Sequence, residues 1–217
     1  MIHFYCGSGS PYAWRVWLAL EHKTLPYELH MLSFAAGDLR SDAYRAINPR
    51  GKVPAITDGD FALAESAAIC EYLEDAYPAY GQPLLPSAPR ARAIVRRMVR
   101  EADQYVAELL EELVEQLLFT DEPQRDPAVI AAARGRLVAE LAWFEKSLDR
   151  PFLAGEPGLA DFTLYPMLAL ALRMQERRQP DLALQSALGP RLLEWMERVE
   201  SLPYYSRTYP PHWRPAA

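Results

Sequence analysis

Ser8, Ser10 and Tyr12 place three hydroxyls within five positions, between the apolar run IHFYC and a segment of helical periodicity. A hydroxyl where a strand ends and a helix begins has two uses. It can cap the helix by accepting a backbone N–H, or it can donate to an anion brought up to the helix N-terminus. Two further segments carry chemistry of this kind. In NPRGKVPAI (48–56), Pro54 sits one residue into a run of strand character, where it has no N–H for the ladder. A cis bond at Val53–Pro54 is one way to accommodate it, and it would leave the Val53 N–H and C=O to pair with an extended peptide. In AESAAICEYL (64–73), Glu65 and Ser66 stand where a strand meets a helix. The unpaired N–H groups and partial positive charge of that helix end, with the Ser66 hydroxyl, suit a carboxylate. Glu65 can accept from an ammonium group.

These segments need elements to position them. IHFYC (2–6), ended by Gly7, reads as a buried strand, and Pro11 to about Lys23 as a helix with proline in its first turn. YELHML (27–32) is a second strand. Residues 39–47 form a short helix stopped before Pro49. VPAITD (53–58) and FALA (61–64) flank DGD as a hairpin, and Glu65 to about Ala76 is a helix ended near Pro78. The order β-α-β-α-β-β-α predicts a mixed sheet with covering helices over residues 1–78. Residues 79–89 are a proline-rich linker, with Leu84 and Leu85 expected to pack it down. Residues 90–217 read as all helical. Apolar residues recur at three- and four-residue steps from Ala91 to Phe119, among them Ile94, Met98, Val99, Tyr105, Leu113 and Leu118. Further helices begin at Pro127, near Gly158 and near position 189, and the tail is aromatic and proline-rich.

Bulk properties narrow the function classes. The chain has 217 residues, half of them hydrophobic, which is enough for one large domain or two small ones. A formal net charge of −6 gives no support for nucleic acid or an anionic membrane as partner. No apolar run approaches the ~18 residues of a membrane span, and the start MIHFYCGSGS lacks the features of a signal peptide. Cys6 and Cys70 are too few for a disulfide framework and read as reduced thiols of a cytoplasmic protein, Cys6 inert inside its strand. His3, His22, His30 and His212 are scattered and offer no metal-ligand spacing, so no metal is expected.

The three chemical segments together fit a γ-glutamyl peptide with an amino-acid head, a central thiol residue and a carboxylate tail. S-P-Y-x-x-R-V after the first strand, N-P-x-G-K-V-P, and the E-S that opens the third helix occur in this order, and the whole chain resembles a cytosolic glutathione S-transferase. The resemblance implies a thioredoxin-like N-terminal domain and an all-helical C-terminal one, glutathione as co-substrate and a homodimer. In serine-type members, such as the tau and phi classes, the catalytic serine lies five positions before the arginine of R-V, which here is Ser10 before Arg15. Tyr12 is the rival, because tyrosine-type members exist, and Ser8 is assigned to the loop. The position of Ser10 carries cysteine in omega-like members that favour thiol exchange; serine here points to conjugation of small hydrophobic electrophiles.

Lys52 and Arg40 match, by position, bases that meet the glycine carboxylate in tau-like members. Val53, Pro54, Glu65 and Ser66 complete the expected glutathione site. Met98, Tyr105, Tyr165 and Trp213 are the expected electrophile pocket. Asp161 resembles the family's capping residue on its central helix, but Gly158 stands where serine or threonine is usual, so only the Asp161 half of the reciprocal bonds is expected. The alternatives are a glutathione-dependent peroxidase, dehalogenase or isomerase, and a ligand-binding or interaction protein that keeps the fold without turnover.

Overall fold

A computed structural model describes residues 1–214. The first unit comprises Met1–Ser87 and the tail from Leu202. It contains β1 (Ile2–Gly7), α1 (Pro11–His22), β2 (Tyr27–Leu32), α2 (Asp42–Ile47), β3 (Ala55–Asp58), β4 (Phe61–Ala64) and α3 (Ser66–Ala76). The sheet order is β2-β1-β3-β4, with β1–β2 parallel and the other two pairs antiparallel. This is the mixed thioredoxin-like sheet that the βαβ crossover followed by a hairpin predicts. β1 buries Ile2, Phe4 and Cys6 on one face, the period-two pattern of a strand with one face in the core. α1 buries ten of its twelve residues, so it is hydrophobic nearly all round, as a core helix must be. β3 starts at Ala55 rather than at Val53, after the residue that cannot donate to the ladder.

Leu84 and Leu85 are both 2% exposed, so the proline-rich linker packs down as its composition predicts. The Glu74 carboxylate at the end of α3 holds it there, accepting from the Leu84 N–H at 2.9 Å, the Leu85 N–H at 3.3 Å and Lys23 Nζ at 3.1 Å. Gly81 has φ +52°, and a Cβ there would come within 2.4 Å of the Lys23 backbone, so only glycine fits.

The second unit, Ala88–Ser201, is all helical. It contains α4 (Pro89–Glu101), α5 (Ala107–Val114), α6 (Pro127–Ser147), α7 (Leu159–Arg177) and α8 (Pro190–Glu200). Two π-helical stretches, Ala102–Val106 and Glu115–Phe119, continue α4 and α5 into one run that ends at Phe119. The buried stripe of that run is narrower than its apolar pattern: Val95, Met98, Val99, Val106, Leu110, Leu113 and Leu117 are buried, whereas Ile94, Tyr105 and Leu118 are exposed. Each π turn holds an extra residue, which shifts the phase of the helix between the segments before and after it.

Asp161 is fully buried at the start of α7 and accepts from the Gly158 N–H at 3.0 Å, the Leu153 N–H at 2.9 Å and Trp195 Nε1 at 2.7 Å. Its half of the capping box is therefore present without a side chain at Gly158. Burial raises its carboxyl to about 6, against the pull of those donors.

The tail differs from the sequence reading, which carries it within the helical domain. From Leu202 it belongs to the first unit and includes α9 (Tyr205–Thr208). The cause is the surface of α1. Trp14 Nε1 donates to Thr208 Oγ1 at 3.0 Å, and the Trp14 ring meets Tyr209 and Trp213 edge-on at 5.9 and 5.5 Å. His22 Nδ1 and the Tyr204 hydroxyl share a 2.7 Å hydrogen bond. Among the described residues, no helix is long and apolar enough to cross a membrane.

Candidate active site

The strand directions gather the chemical segments at one end of the sheet. β3 runs antiparallel to β1 with Ala55 opposite Tyr5, and β4 antiparallel to β3 with Ala64 opposite Ala55. The loop after β1, the residues before β3 and the residues after β4 therefore meet. Gly7 marks the contact: a Cβ there would lie 2.8 Å from Val53 Cγ2 and 2.6 Å from Phe34 Cζ. Any larger residue would push the hydroxyl loop away from Val53.

Ser10 is the N-cap of α1, in extended conformation (φ −69°, ψ 120°), and its Oγ accepts the Ala13 N–H at 3.3 Å. Capping and donation are not exclusive, since a hydroxyl has two lone pairs and one hydrogen. The cap uses a lone pair, so the O–H can still donate. The Ser8 Oγ lies 2.6 Å from His212 Nδ1, a pairing across 204 positions that sequence reading missed and that no local signal reveals. Gly9, with φ +82°, makes room for it, because a Cβ there would meet His212 Cε1 at 2.7 Å. Tyr12 is half-buried on α1, with the Arg15 guanidinium 5.9 Å from its ring centroid.

The Val53–Pro54 bond is cis. The preceding turn is fixed by the Lys52 carbonyl, which accepts from the Tyr44 hydroxyl and from Asn48 Nδ2, each at 2.6 Å. The Lys52 and Arg40 side chains are exposed. Glu65 has φ 70° and ψ 107°, a region costly to a residue with a Cβ, directly before α3. Ser66 is 7% exposed and begins that helix, whose first N–H groups have no partner within the helix itself.

Cys6 is buried, and burial pushes its thiol up to about 12, so it is an inert core group. Met98 is buried within the helical unit, and Tyr105 is 47% exposed in the first π stretch. Tyr165 is buried, donates its hydroxyl to Glu200 at 2.9 Å and packs edge-on against Trp195. Trp213 is buried in the tail of the first unit, against Trp14.

Comparison with known proteins matches most of the chain. The family description "Glutathione S-transferase, N-terminal domain" matches residues 9–76, and "Glutathione S-transferase, C-terminal domain" matches residues 127–198. Glutathione S-transferase A of Pleuronectes platessa is 29% identical over 212 residues, covering 95% of this chain and 90% of that one. A crystal structure of a glutathione S-transferase from the Antarctic clam Laternula elliptica superposes with a TM-score of 0.82 at 31% identity, covering 98% of this chain and 93% of that one. A theta class glutathione S-transferase from Xanthomonas axonopodis pv. citri, with glutathione bound, gives a TM-score of 0.81 at 30% identity and 96% coverage of both chains.

Proposed function

The chain belongs to the glutathione S-transferase family and is an enzyme of it, and we propose that Ser10 makes bound glutathione a nucleophile by donating one hydrogen bond to its sulfur. The observation that carries this reading is the meeting of the Ser8–Ser10 loop, Val53–Pro54 and Glu65–Ser66 at one end of one sheet. In the proposed pose the γ-glutamyl carboxylate sits on the N-terminus of α3 beside Ser66, and Glu65 accepts from the γ-glutamyl ammonium group. The cysteinyl backbone pairs with Val53 beside Pro54. The glycine carboxylate reaches Lys52 and Arg40. This leaves the sulfur at the N-terminus of α1, next to Ser10.

A free thiol with pKa about 8.5 is mostly protonated at neutral pH. A hydroxyl donor and a helix N-terminus both favour the thiolate. Lowering the thiol pKa by about two units corresponds to about 2.7 kcal/mol, a sum that one charge-assisted hydrogen bond and a helix end can supply together. The thiol proton leaves to solvent. The sulfur lone pair then forms a C–S bond with the electrophile, either displacing a leaving group that departs with its electron pair or adding across an activated double bond whose other carbon takes a proton from solvent. Tyr12 is the second candidate donor. The active form is proposed to be a cytoplasmic homodimer.

Calorimetry with glutathione, followed by conjugation of chlorodinitrobenzene, tests this reading. The expected outcome is saturable binding, one glutathione per chain, with protein-dependent thioether formation. Binding without turnover across a panel of electrophiles would make the chain a ligand carrier, and no binding at all would overturn the reading.

A further inference from the structure

We propose that His3, Glu28 and His30 form a binding site for one divalent transition-metal ion of the zinc type, on the face of the β1–β2 pair opposite the buried Ile2, Phe4 and Cys6. The histidines are scattered in sequence, which is why no metal is expected from spacing alone. Strand pairing overrides that spacing. β1 and β2 are parallel, with His3 opposite Glu28 and Tyr5 opposite His30, so His3, Glu28 and His30 all project from one face.

The donor atoms already stand close together. His3 Nδ1 lies 3.0 Å from His30 Nε2 and 3.5 Å from Glu28 Oε2, and His30 Nε2 lies 3.4 Å from Glu28 Oε1. Two donors, each about 2.0–2.2 Å from a tetrahedral ion, are about 3.3–3.5 Å apart. The three groups therefore need only small adjustments to share one ion, which would take the place of the proton between the two imidazoles.

Two imidazoles and one carboxylate suit zinc, copper or nickel better than magnesium or calcium, which prefer all-oxygen sites. The Tyr5 ring stacks on His30 at 4.7 Å with a 16° interplanar angle, which limits reorientation of that ligand. β2 is an edge strand, and the three side chains are part-exposed, so an ion can enter and a water can complete the tetrahedron. The buried thiols Cys6 and Cys70 do not compete for the ion. The site uses neither the hydroxyl loop nor α3, so it is independent of glutathione binding. Its effect would be to clamp the edge strand to β1.

The test uses the full chain without an affinity tag, stripped with a chelator and titrated with Zn²⁺ against a chromophoric competitor, and in parallel with Co²⁺ to read coordination from its visible spectrum. One equivalent per chain is expected, with the intense visible bands of four-coordinate cobalt and a rise in melting temperature on adding zinc. Glu28→Gln, at an exposed position that leaves the fold intact, should weaken binding at least tenfold, as should His30→Ala. His212→Ala should bind as the parent does. Absence of stoichiometric binding, or affinity unchanged in both Glu28→Gln and His30→Ala, would overturn the proposal.

Discussion

The Ser10 oxygen accepts the Ala13 N–H across 3.3 Å to close the first turn of α1, and the same side chain is the proposed donor to the glutathione sulfur. Ser10→Ala removes both functions. Loss of the cap costs about 1 kcal/mol of stability. Loss of the donor acts on turnover: a deficit of about 2 kcal/mol in thiolate stabilisation lowers the rate about 30-fold. Affinity for glutathione should stay within a few-fold, because the contacts proposed for Val53, Glu65, Ser66 and the bases do not involve this hydroxyl. Steady-state kinetics beside calorimetry separate the two effects, and unchanged turnover would move the donor role to Tyr12 or Ser8. At this scale the sequence is informative where a residue acts on near neighbours. The cap, the cis Val53–Pro54 bond and the helix start at Ser66 are all set by local chain chemistry. Ser8–His212 and His3–His30 were not legible, since pairs 204 and 27 positions apart depend on tertiary packing.

The strands and helices of the first unit are visible in the sequence because each has its own punctuation: Gly7 and Pro11 around the loop, Pro54 before β3, Gly59 in the hairpin and Pro78 after α3. The tail has no such signal. Its destination is decided by Trp14 and His22 on α1, whose partners lie about 190 residues further on. That docking has a pH signature. His22 is buried against Tyr204, and burial lowers its imidazole from 6.5 to about 4, with nearby Lys23 acting in the same sense and the Pro83 backbone and Glu74 opposing. The folded chain thus keeps His22 neutral while the unfolded chain protonates it below about pH 6.5. Its contribution is complete above that pH and is lost as pH falls towards 4, at up to about 1.4 kcal/mol per pH unit. Asp161 works oppositely. With its carboxyl raised to about 6, its contribution is complete below the unfolded value of 3.8 and is lost as pH rises through 6. Comparing the parent with His22→Gln cancels the Asp161 part. In denaturant titrations the stability advantage of the parent should shrink by about 1–3 kcal/mol between pH 7 and pH 4.5; a constant gap would show that His22 does not titrate against the fold.

For the molecule as a whole, a thioredoxin-like unit and a helical unit were both foreseeable, since alternating strand and helix signals give way to purely helical periodicity after the linker. The segments proposed to bind glutathione were legible, because the recognition proposed for them uses backbone and helix termini, which leave sequence traces. The electrophile end was not: a helical spacing such as that of Met98 and Tyr105 serves core packing equally well, and Tyr165, buried on α7, commits its hydroxyl to Glu200. The scaffold is proposed to ionise a bound thiol through one alcohol, and ultraviolet titration of the thiolate in the glutathione complex measures that directly. The parent complex should titrate about two units below the ~8.5 of a free thiol, and the Ser10→Ala complex at least about one unit higher than the parent. A bound thiol that titrates like free glutathione, or identically in the two proteins, would contradict it.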